Sequence, residues 1–133
     1  MTNTTLFYTG IGKRKTSVAK VFLIPGSGII TANNKSFEHF FAGVVEEREL
    51  LKNPLTLVNL NNKYDIDIKV NGGGISSQMD AIRLAISKAI CMINLEYRFI
   101  LNQNLLLRRD SRIKERRKYG LKKARKASQY SKR

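Results

Sequence analysis

Residues 64–97 read YDIDIKVNGGGISSQMDAIRLAISKAICMINLEY, and they contain the clearest secondary-structure pattern of the chain. Over residues 64–70 apolar side chains alternate with charged ones, which predicts a strand with one buried and one solvated face. Three consecutive glycines follow at positions 72–74. Beyond them, apolar residues recur in steps of four and three, which predicts a helix over residues 76–97 with one core-facing stripe. The stripe consists of Ile75, Met79, Ile82, Ile86, Ala89 and Ile93.

Apolar, β-branched segments before and after a glycine-rich turn predict further strands. These strands cover residues 6–11, 17–24, 29–32 and 55–60. We expect residues 29–32 to pair back on residues 17–24 as a hairpin, because the sequence PGSG at residues 25–28 has the composition of a turn.

Two shorter helices are predicted between these strands. The first starts at Ser36, a favourable N-cap, and carries phenylalanines on one face. The second covers residues 44–52 and ends before Asn53 and Pro54, since proline disfavours helical backbone in the residue before it. Together the elements predict an α+β fold, in which helices pack on a mixed sheet. We predict that residues 1–107 form this globular domain.

The charge of the chain is concentrated in residues 108–133, which read RRDSRIKERRKYGLKKARKASQYSKR. They hold 13 Lys and Arg against 2 Asp and Glu, a net charge of +11 out of +15 for the whole chain. Such a segment repels itself and has too few apolar residues to fold alone. We therefore predict an extended basic tail that needs a polyanion to neutralise it, and phosphate backbones are the usual polyanion.

Part of this basic tail has the pattern of a helix. Residues 111–119 could form one helical stretch, with Asp110 or Ser111 as its cap. Tyr119 and Tyr130 stand among the cations, where they could stack on bases. Two other interpretations stay open, a solvated charge run and a polybasic segment at a membrane surface. The tail has no clear apolar face and no lipidation motif, so we expect no membrane partner.

A basic motif with two glycines, GIGKRKT at residues 10–16, joins the first two predicted strands. The glycines permit close backbone approach, and Lys13, Arg14 and Lys15 can contact phosphates. A nucleotide-binding P-loop is one alternative, but it needs four residues between its glycines and a helix after them, and neither condition is met. A plain hairpin turn is the other alternative.

The three glycines before the long helix are a second candidate site. Glycines at a helix N-terminus expose backbone N–H groups beside the positive end of the helix dipole, which suits an RNA phosphate at Gly73 and Gly74. Arg83, on the polar side of the helix, could add a cation. Ser77 and Asp80 have the spacing of a capping box. The alternative is a tight strand-to-helix turn without a ligand.

Residues suited to catalysis or metal binding are sparse. Cys91 is the only cysteine and His39 the only histidine, which excludes a disulfide within the chain and a multi-cysteine zinc site. Asp65 and Asp67 share one strand face, as solvated carboxylates often do. We predict no enzyme, no cofactor and no metal. No apolar run approaches the roughly 20 residues that span a bilayer, and the first residues lack the character of a signal or transit peptide.

These features, in this order and spacing, resemble small-subunit ribosomal protein nine of the bacterial and plastid type. The likeness covers essentially the whole chain after its first few residues. Three motifs carry it: YTGIGKRKTSVAKV at residues 8–21, VNGGGISSQ at residues 70–78, and ERRKYGLKKARK at residues 115–126. The third motif is the most specific of them.

The resemblance implies a βαβ unit with a left-handed crossover and a globular domain bound to rRNA in the head of the small subunit. It implies that the tail threads through rRNA towards the peptidyl-site tRNA, where Ser131, Lys132 and Arg133 approach the anticodon stem-loop backbone. The residues expected to bind rRNA are Lys13, Arg14, Lys15, Gly73, Gly74, Arg83, Arg109, Arg112, Arg116, Arg117, Lys118, Lys122, Lys123, Arg125 and Lys126. Neighbouring head proteins are expected partners, and a homo-oligomer is not expected.

Three places depart from the family pattern. Ser128 stands where proline is usual, and residues 94–106 are richer in apolar residues and poorer in basic ones than the pattern. Asp80 replaces a small residue, and we expect its carboxylate to satisfy free N–H groups at the start of the long helix.

Two other functions compete with a ribosomal one. The first is an enzyme that binds a nucleotide at the glycine loop, by analogy of fold. The second is a DNA-compacting protein, which would bind duplex DNA as well as rRNA. The Asn-, Ile- and Lys-rich composition, without a transit peptide, favours a plastid ribosome in the chloroplast stroma, with the bacterial cytoplasm as the alternative.

Overall fold

The computed structural model describes residues 6–40 and 47–129, and within them a five-stranded mixed sheet carries helices. The strands are β1 Tyr8–Arg14, β2 Ser17–Pro25, β3 Ile30–Ala32, β4 Lys35–Ser36 and β5 Tyr64–Asn71. The helices are α1 Phe37–Phe40, α2 Glu47–Leu57, α3 Ile75–Ile93 and α4 Tyr97–Gln103. The predicted α+β class with helices packed on a mixed sheet is therefore confirmed.

The sheet has the strand order β1-β2-β5-β3-β4. β2 pairs antiparallel with β5 from Val18 to Pro25, so β5 occupies the edge of β2 where we expected residues 29–32. β3 pairs parallel with β5 instead, and the predicted hairpin of residues 17–32 is wrong. The connection from β3 to β5 runs through β4, α1 and α2, as a βαβ unit requires. Its left-handed sense stays a prediction.

Helix α3 covers one face of the sheet, on which the apolar side chains of the central strands lie. Alternation along β5 buries Ile66, Ile68 and Val70, and the same alternation in β2 buries Ala19, Val21 and Leu23. The predicted strand at residues 64–70 is thus confirmed, and so is the stripe of the following helix from Met79 onward, whereas Ile75 is 50% exposed. β1 extends further than predicted, to Arg14, because its last residues pair with the start of β2.

Helix α2 continues through Pro54, and this overturns two predictions. The helix does not end before Asn53, and residues 55–60 form its last turn and a loop, not a strand. Leu51, Leu55 and Val58 are buried at helical spacing, and the Pro54 ring is buried beside them. Their burial outweighs the missing proline N–H, which costs about 3 kcal/mol in a helix interior. The predicted start at residue 44 lies outside the described residues.

The long helix is shorter than predicted, because α3 ends at Ile93. Asn94 follows in an extended conformation, with φ −153° and ψ 129°. A separate helix, α4, then buries Leu101 against the core.

The basic tail is extended over the residues for which a helix was one possibility. Residues 111–118 have no helical turn, so the possible helix over residues 111–119 is not formed. Like charges three and four residues apart disfavour a helix there. The division into a domain of residues 1–107 and a tail of residues 108–133 stays a prediction.

Candidate nucleic-acid interface

The basic motif after the first strand forms the tip of the β1–β2 hairpin. The two strands pair up to Arg14 and Ser17, which leaves Lys15 and Thr16 as a two-residue loop. Lys15 has a positive φ of 51°. The side chains of Lys13 and Lys15 are exposed to solvent. The strand that follows the motif excludes a P-loop, which needs a helix there.

The two glycines of this motif serve packing against α3. A Cβ atom on Gly10 would lie 2.0 Å from the Ala85 carbonyl oxygen, and one on Gly12 would lie 2.0 Å from that of Ala81. Only glycine lets the helix backbone approach the strand this closely. We predicted that these glycines permit a close backbone approach, and the backbone that approaches them is that of α3 in the same chain.

Arg14 connects the hairpin to the helix and to the start of the tail. Its Nη1 atom lies 2.5 Å from Asp110 Oδ2, and its Nε atom lies 3.7 Å from Asp80 Oδ2. Arg83 Nη2 lies 3.2 Å from the other oxygen of Asp80. The Arg14 side chain is only 14% exposed. Among the three cations of the motif, Arg14 therefore mainly holds the tail against the domain.

The same contacts correct two predictions about Asp80. Its carboxylate pairs with arginines rather than with N–H groups at the start of α3. Ser77 and Asp80 do not form a capping box, because the N-cap residue is Gly74 and Ser77 is the third residue of the helix.

Serine hydroxyls hold the loop of three glycines. Ser77 Oγ accepts the Gly74 N–H at 3.1 Å and lies 2.9 Å from Ser17 Oγ. Ser17 Oγ also donates to the Gly72 carbonyl at 2.8 Å. A Cβ atom on Gly73 would lie 2.0 Å from Ser17 Oγ. One backbone N–H of the predicted anion site is thus satisfied internally, and the phosphate site at Gly73 and Gly74 stays a prediction.

A groove of about 310 Å³ brings the predicted elements together. The hairpin, helix α3 and the first residues of the tail each contribute cations to it, five in all against two carboxylates. The cations are Lys13, Arg14, Arg83, Arg108 and Arg112, and the carboxylates are Asp80 and Asp110. Sequence reasoning missed Arg108 as a site residue, although it opens the basic run. The excess of cations gives the groove the charge that a phosphate backbone requires.

Asp110 fixes the direction in which the tail leaves this groove. It accepts hydrogen bonds from the Arg112 side chain at 2.7–3.1 Å and from the Arg112 backbone N–H at 3.0 Å. These contacts, with a further one from Arg14, hold the pKa of Asp110 well below its usual value. The carboxylate therefore stays ionised at every physiological pH.

Further along, the tail folds into a small loop, which we call the tail loop and define as residues 115–127. Glu115 pairs with Lys118 at 3.3 Å and with Arg125 at 3.0 Å. A bridge between Leu121 and Ala127 closes it. The remaining cations of the loop are exposed. They are Arg116, Arg117, Lys122, Lys123 and Lys126. Two of them also hydrogen-bond within the chain, since Arg117 Nε donates to the Leu121 carbonyl at 2.8 Å and Arg116 Nη1 to the Arg117 carbonyl at 3.2 Å.

The remaining predicted site residues of the tail differ in how much the structure shows of them. Tyr119 is fully exposed beside the tail loop cations, as stacking on a base requires. Arg109 lines a second, more open groove next to the first. Tyr130 and the predicted tRNA-contacting residues Ser131, Lys132 and Arg133 lie outside the described residues.

Two properties of residues 6–40 and 47–129 bear on other classes of function. No helix in these ranges is long and apolar enough to cross a membrane. No group of three or more His, Cys, Asp or Glu side chains there is placed to hold a metal ion.

Comparison with known proteins assigns the chain to a family. The family model described as Ribosomal protein S9/S16 matches residues 12–133. The small ribosomal subunit protein uS9c of Guillardia theta is 50% identical over 126 residues, which are 95% of this chain and 94% of the relative. That of Thalassiosira pseudonana is 50% identical over 93% of this chain and 92% of the relative. The uS9 protein of the cyanobacterium Gloeothece citriformis is 48% identical over 95% and 92%. The chain therefore belongs to the ribosomal protein S9/S16 family, in its bacterial and plastid form.

Proposed function

We propose that this protein is a structural constituent of the small ribosomal subunit and binds the rRNA of its head through the groove and the tail. The family is one of structural ribosomal proteins without enzymatic activity, so a nucleotide-dependent enzyme is not the function. In the ribosome its direct partners would be rRNA and neighbouring head proteins, with one copy in each subunit.

The observation that carries this proposal is the convergence of cations from three separate parts of the chain on one groove. The hairpin supplies Lys13, α3 supplies Arg83, and the tail supplies Arg108 and Arg112. A phosphate backbone laid along the groove would then continue onto the exposed cations of the tail loop. Phosphate contacts of this kind position a protein on RNA without reading its sequence.

Affinity for small-subunit rRNA at several salt concentrations tests the proposal. We expect log Kd to rise with log salt concentration with a slope near 0.7–0.9 for each phosphate contacted. Duplex DNA of equal length is the control, and a DNA-compacting protein would bind it as tightly as rRNA. Equal affinity for the two would overturn the ribosomal proposal.

We also propose that Ser131, Lys132 and Arg133 contact the anticodon stem-loop backbone of the peptidyl-site tRNA. The support is chemical, since Arg133 offers five N–H donors to phosphate oxygens and Lys132 a mobile point charge. Removal of Lys132 and Arg133 should weaken tRNA binding to purified small subunits while leaving the protein content of those subunits unchanged. Unchanged tRNA affinity of such subunits would contradict this role.

Relatives from algal plastids and from cyanobacteria support a plastid or bacterial ribosome as the location. We propose the plastid ribosome of the chloroplast stroma, because the Asn-, Ile- and Lys-rich composition favours it and the uS9c proteins named above are each 50% identical to this chain. Fractionation of source cells, with an antibody against the chain, would place it with plastid or with cytoplasmic ribosomes.

A further inference from the structure

The sheet has a second face, which points away from α3. We call it the outer sheet face and define it by Phe7, Ile11, Val18, Lys20, Phe22 and Lys69. These side chains alternate along their strands with residues that contact α3, such as Gly10 and Ala19. In the part of the chain that the structure describes, Ile11 is 47% and Val18 42% exposed.

The outer sheet face is more apolar than is usual for a sheet face exposed to water. An antiparallel sheet with one solvated face usually carries polar side chains on that face. Here Phe7, Ile11 and Val18 are exposed and Phe22 is half-buried, with Lys20 directly opposite Ile11. Exposed apolar side chains grouped among cations on one face mark a surface that binds a partner.

Two lysines of this face stand directly opposite each other. Lys20 of β2 and Lys69 of β5 are partners in the antiparallel register. Like charges in that position repel and weaken the sheet. Asp67, the nearby carboxylate opposite Phe22, accepts a hydrogen bond from Thr31 at 3.3 Å. Among the described residues neither lysine has a carboxylate partner, so the pair forms a concentrated positive site that favours an anionic partner.

Both ammonium groups lie over one aromatic ring, that of Phe22. The Nζ atom of Lys20 is 5.2 Å from the centre of the Phe22 ring, and that of Lys69 is 5.5 Å from it. The Phe7 ring packs edge-on against Phe22 at a centroid distance of 5.7 Å. Lys20 and Lys69 are exposed, so a base of an unpaired nucleotide can replace their ammonium groups on the ring while these move to the adjacent phosphates.

We propose that the outer sheet face binds an unpaired, single-stranded segment of rRNA, with a base stacked on Phe22 and phosphates held by Lys20 and Lys69. The proposal rests on the rRNA-binding function proposed above and adds a base-contacting surface to it. The groove and the tail loop offer mainly cations to phosphates, whereas this face offers an aromatic ring to a base. RNA fits this face better than protein does, because its phosphates would neutralise the two opposed lysines while a base contacts the ring.

Ultraviolet cross-linking of small subunits reconstituted with the full chain tests where the RNA lies. We expect a β2 peptide that contains Phe22 to carry a nucleotide from an unpaired rRNA region. A protein cross-linked to this peptide in place of RNA would overturn the proposal. Subunits in which only hairpin or tail peptides carry RNA would also overturn it, while leaving the proposed function intact. Absence of rRNA from every peptide of the chain would contradict the proposed function itself.

Variants of the full chain give a second test, with a fluorescent single-stranded RNA of 12 nucleotides as the probe. Phe22→Leu should raise Kd about tenfold, within the range known for loss of one stacked base. Phe99→Leu is the matched control, because Phe99 is an exposed phenylalanine on α4, away from the sheet, and its variant should bind as the wild type does.

The two lysines are tested by the double variant Lys20→Gln with Lys69→Gln. It should weaken binding and lower the slope of log Kd against log salt by about 1.4, from 0.7 for each of two phosphates. The control is the double variant Lys35→Gln with Lys88→Gln, which loses the same net charge at exposed positions outside this face. Circular dichroism should show folded protein for both pairs, because relief of repulsion offsets the loss of the contacts with Phe22. Wild-type affinity in the folded Phe22 variant and in the folded Lys20 and Lys69 variant would overturn the proposal.

Discussion

Gly12 is one of two strand residues at which a side chain would collide with the backbone of α3. Its missing side chain lets α3 lie against β1, with the Ala81 carbonyl where a Cβ atom would be. Because that neighbour is helix backbone, which cannot rotate aside, Gly12→Ala must push the helix off the sheet. We expect the free energy of unfolding in urea to fall by about 1–3 kcal/mol, the usual cost of overpacking.

Gly74→Ala is the matched control for this variant. A Cβ atom on Gly74 would have no heavy atom within 4 Å, and the residue has an ordinary φ of −93°. Its free energy of unfolding should fall by no more than about 1 kcal/mol, because alanine is a weaker N-cap than glycine but meets no helix backbone here. Equal losses in the two variants would show that glycine flexibility, and not the approach of the helix, explains the effect.

Asp65 should make stability depend on pH. Its carboxylate accepts the backbone N–H groups of Ile29, Gly28 and Ser27 at 2.9–3.0 Å, and these bonds, that of Ile29 most of all, lower its pKa. A lowered folded-state pKa gives stabilisation that is full above the ordinary value and lost as the pH falls through the folded value. Asp65→Ala should therefore cost about 1 kcal/mol at pH 7 and progressively less below about pH 4.

Urea unfolding of Asp65→Ala and of the wild type at a series of pH values measures this difference. Asp67→Ala is the control, because Asp67 accepts a single hydroxyl hydrogen bond, from Thr31. A gap between Asp65→Ala and wild type that stays constant down to pH 2 would show that ionisation of the carboxylate is not its source.

Among the elements, the start of the tail is held mainly by Asp110, whose carboxylate pairs with Arg14 and whose backbone carbonyl accepts a weaker hydrogen bond from it at 3.3 Å. Asp110 pairs with Arg14 and Arg112, so Asp110→Ala should release residues 108–112 from the groove. We expect their backbone order parameters from NMR relaxation to fall from about 0.85 to below about 0.6. Glu115→Ala, which disturbs only the tail loop, should leave the values of residues 108–112 unchanged. Rigid residues 108–112 in the Asp110 variant would mean that other contacts hold the tail.

Elements whose signal is local were predictable from the sequence, and elements decided by distant contacts were not. β5 and α3 show their periods within their own residues, so both were predicted. The partner of β3 depends on where β5 lies, and the helical state of residues 53–57 depends on burial of Leu55 and Pro54 against the core. At the candidate site, the cations were predictable, but the ion pair of Arg14 with the Asp110 carboxylate was not, because it joins residues 96 positions apart.

For the whole molecule, RNA binding should depend on where charge lies and not only on how much there is. Changing Lys122, Lys123 and Lys126 together to Gln removes three exposed cations of the tail loop. The slope of log Kd for rRNA against log salt should then fall by about 2.1–2.7, since each lost phosphate contact contributes about 0.7–0.9.

A triple variant of the globular part provides the control for this measurement. Lys35, Lys63 and Lys88 are exposed and lie outside the groove and the tail loop, and their change to Gln removes the same net charge. The slope of this variant should stay close to that of the wild type. Equal slopes in the two triple variants would show that net charge alone governs binding.

The ion pair between Glu115 and Arg125 also determines how far the chain can reach. Ten residues separate its members, and their charged atoms lie 3.0 Å apart. Ten residues of extended backbone span at most about 33–36 Å, so closing the loop withdraws roughly 30 Å of contour length from the tail. An anion that competes for Arg125 would open the loop and return this length to the tail. The last residues could then reach a target correspondingly farther from the globular domain.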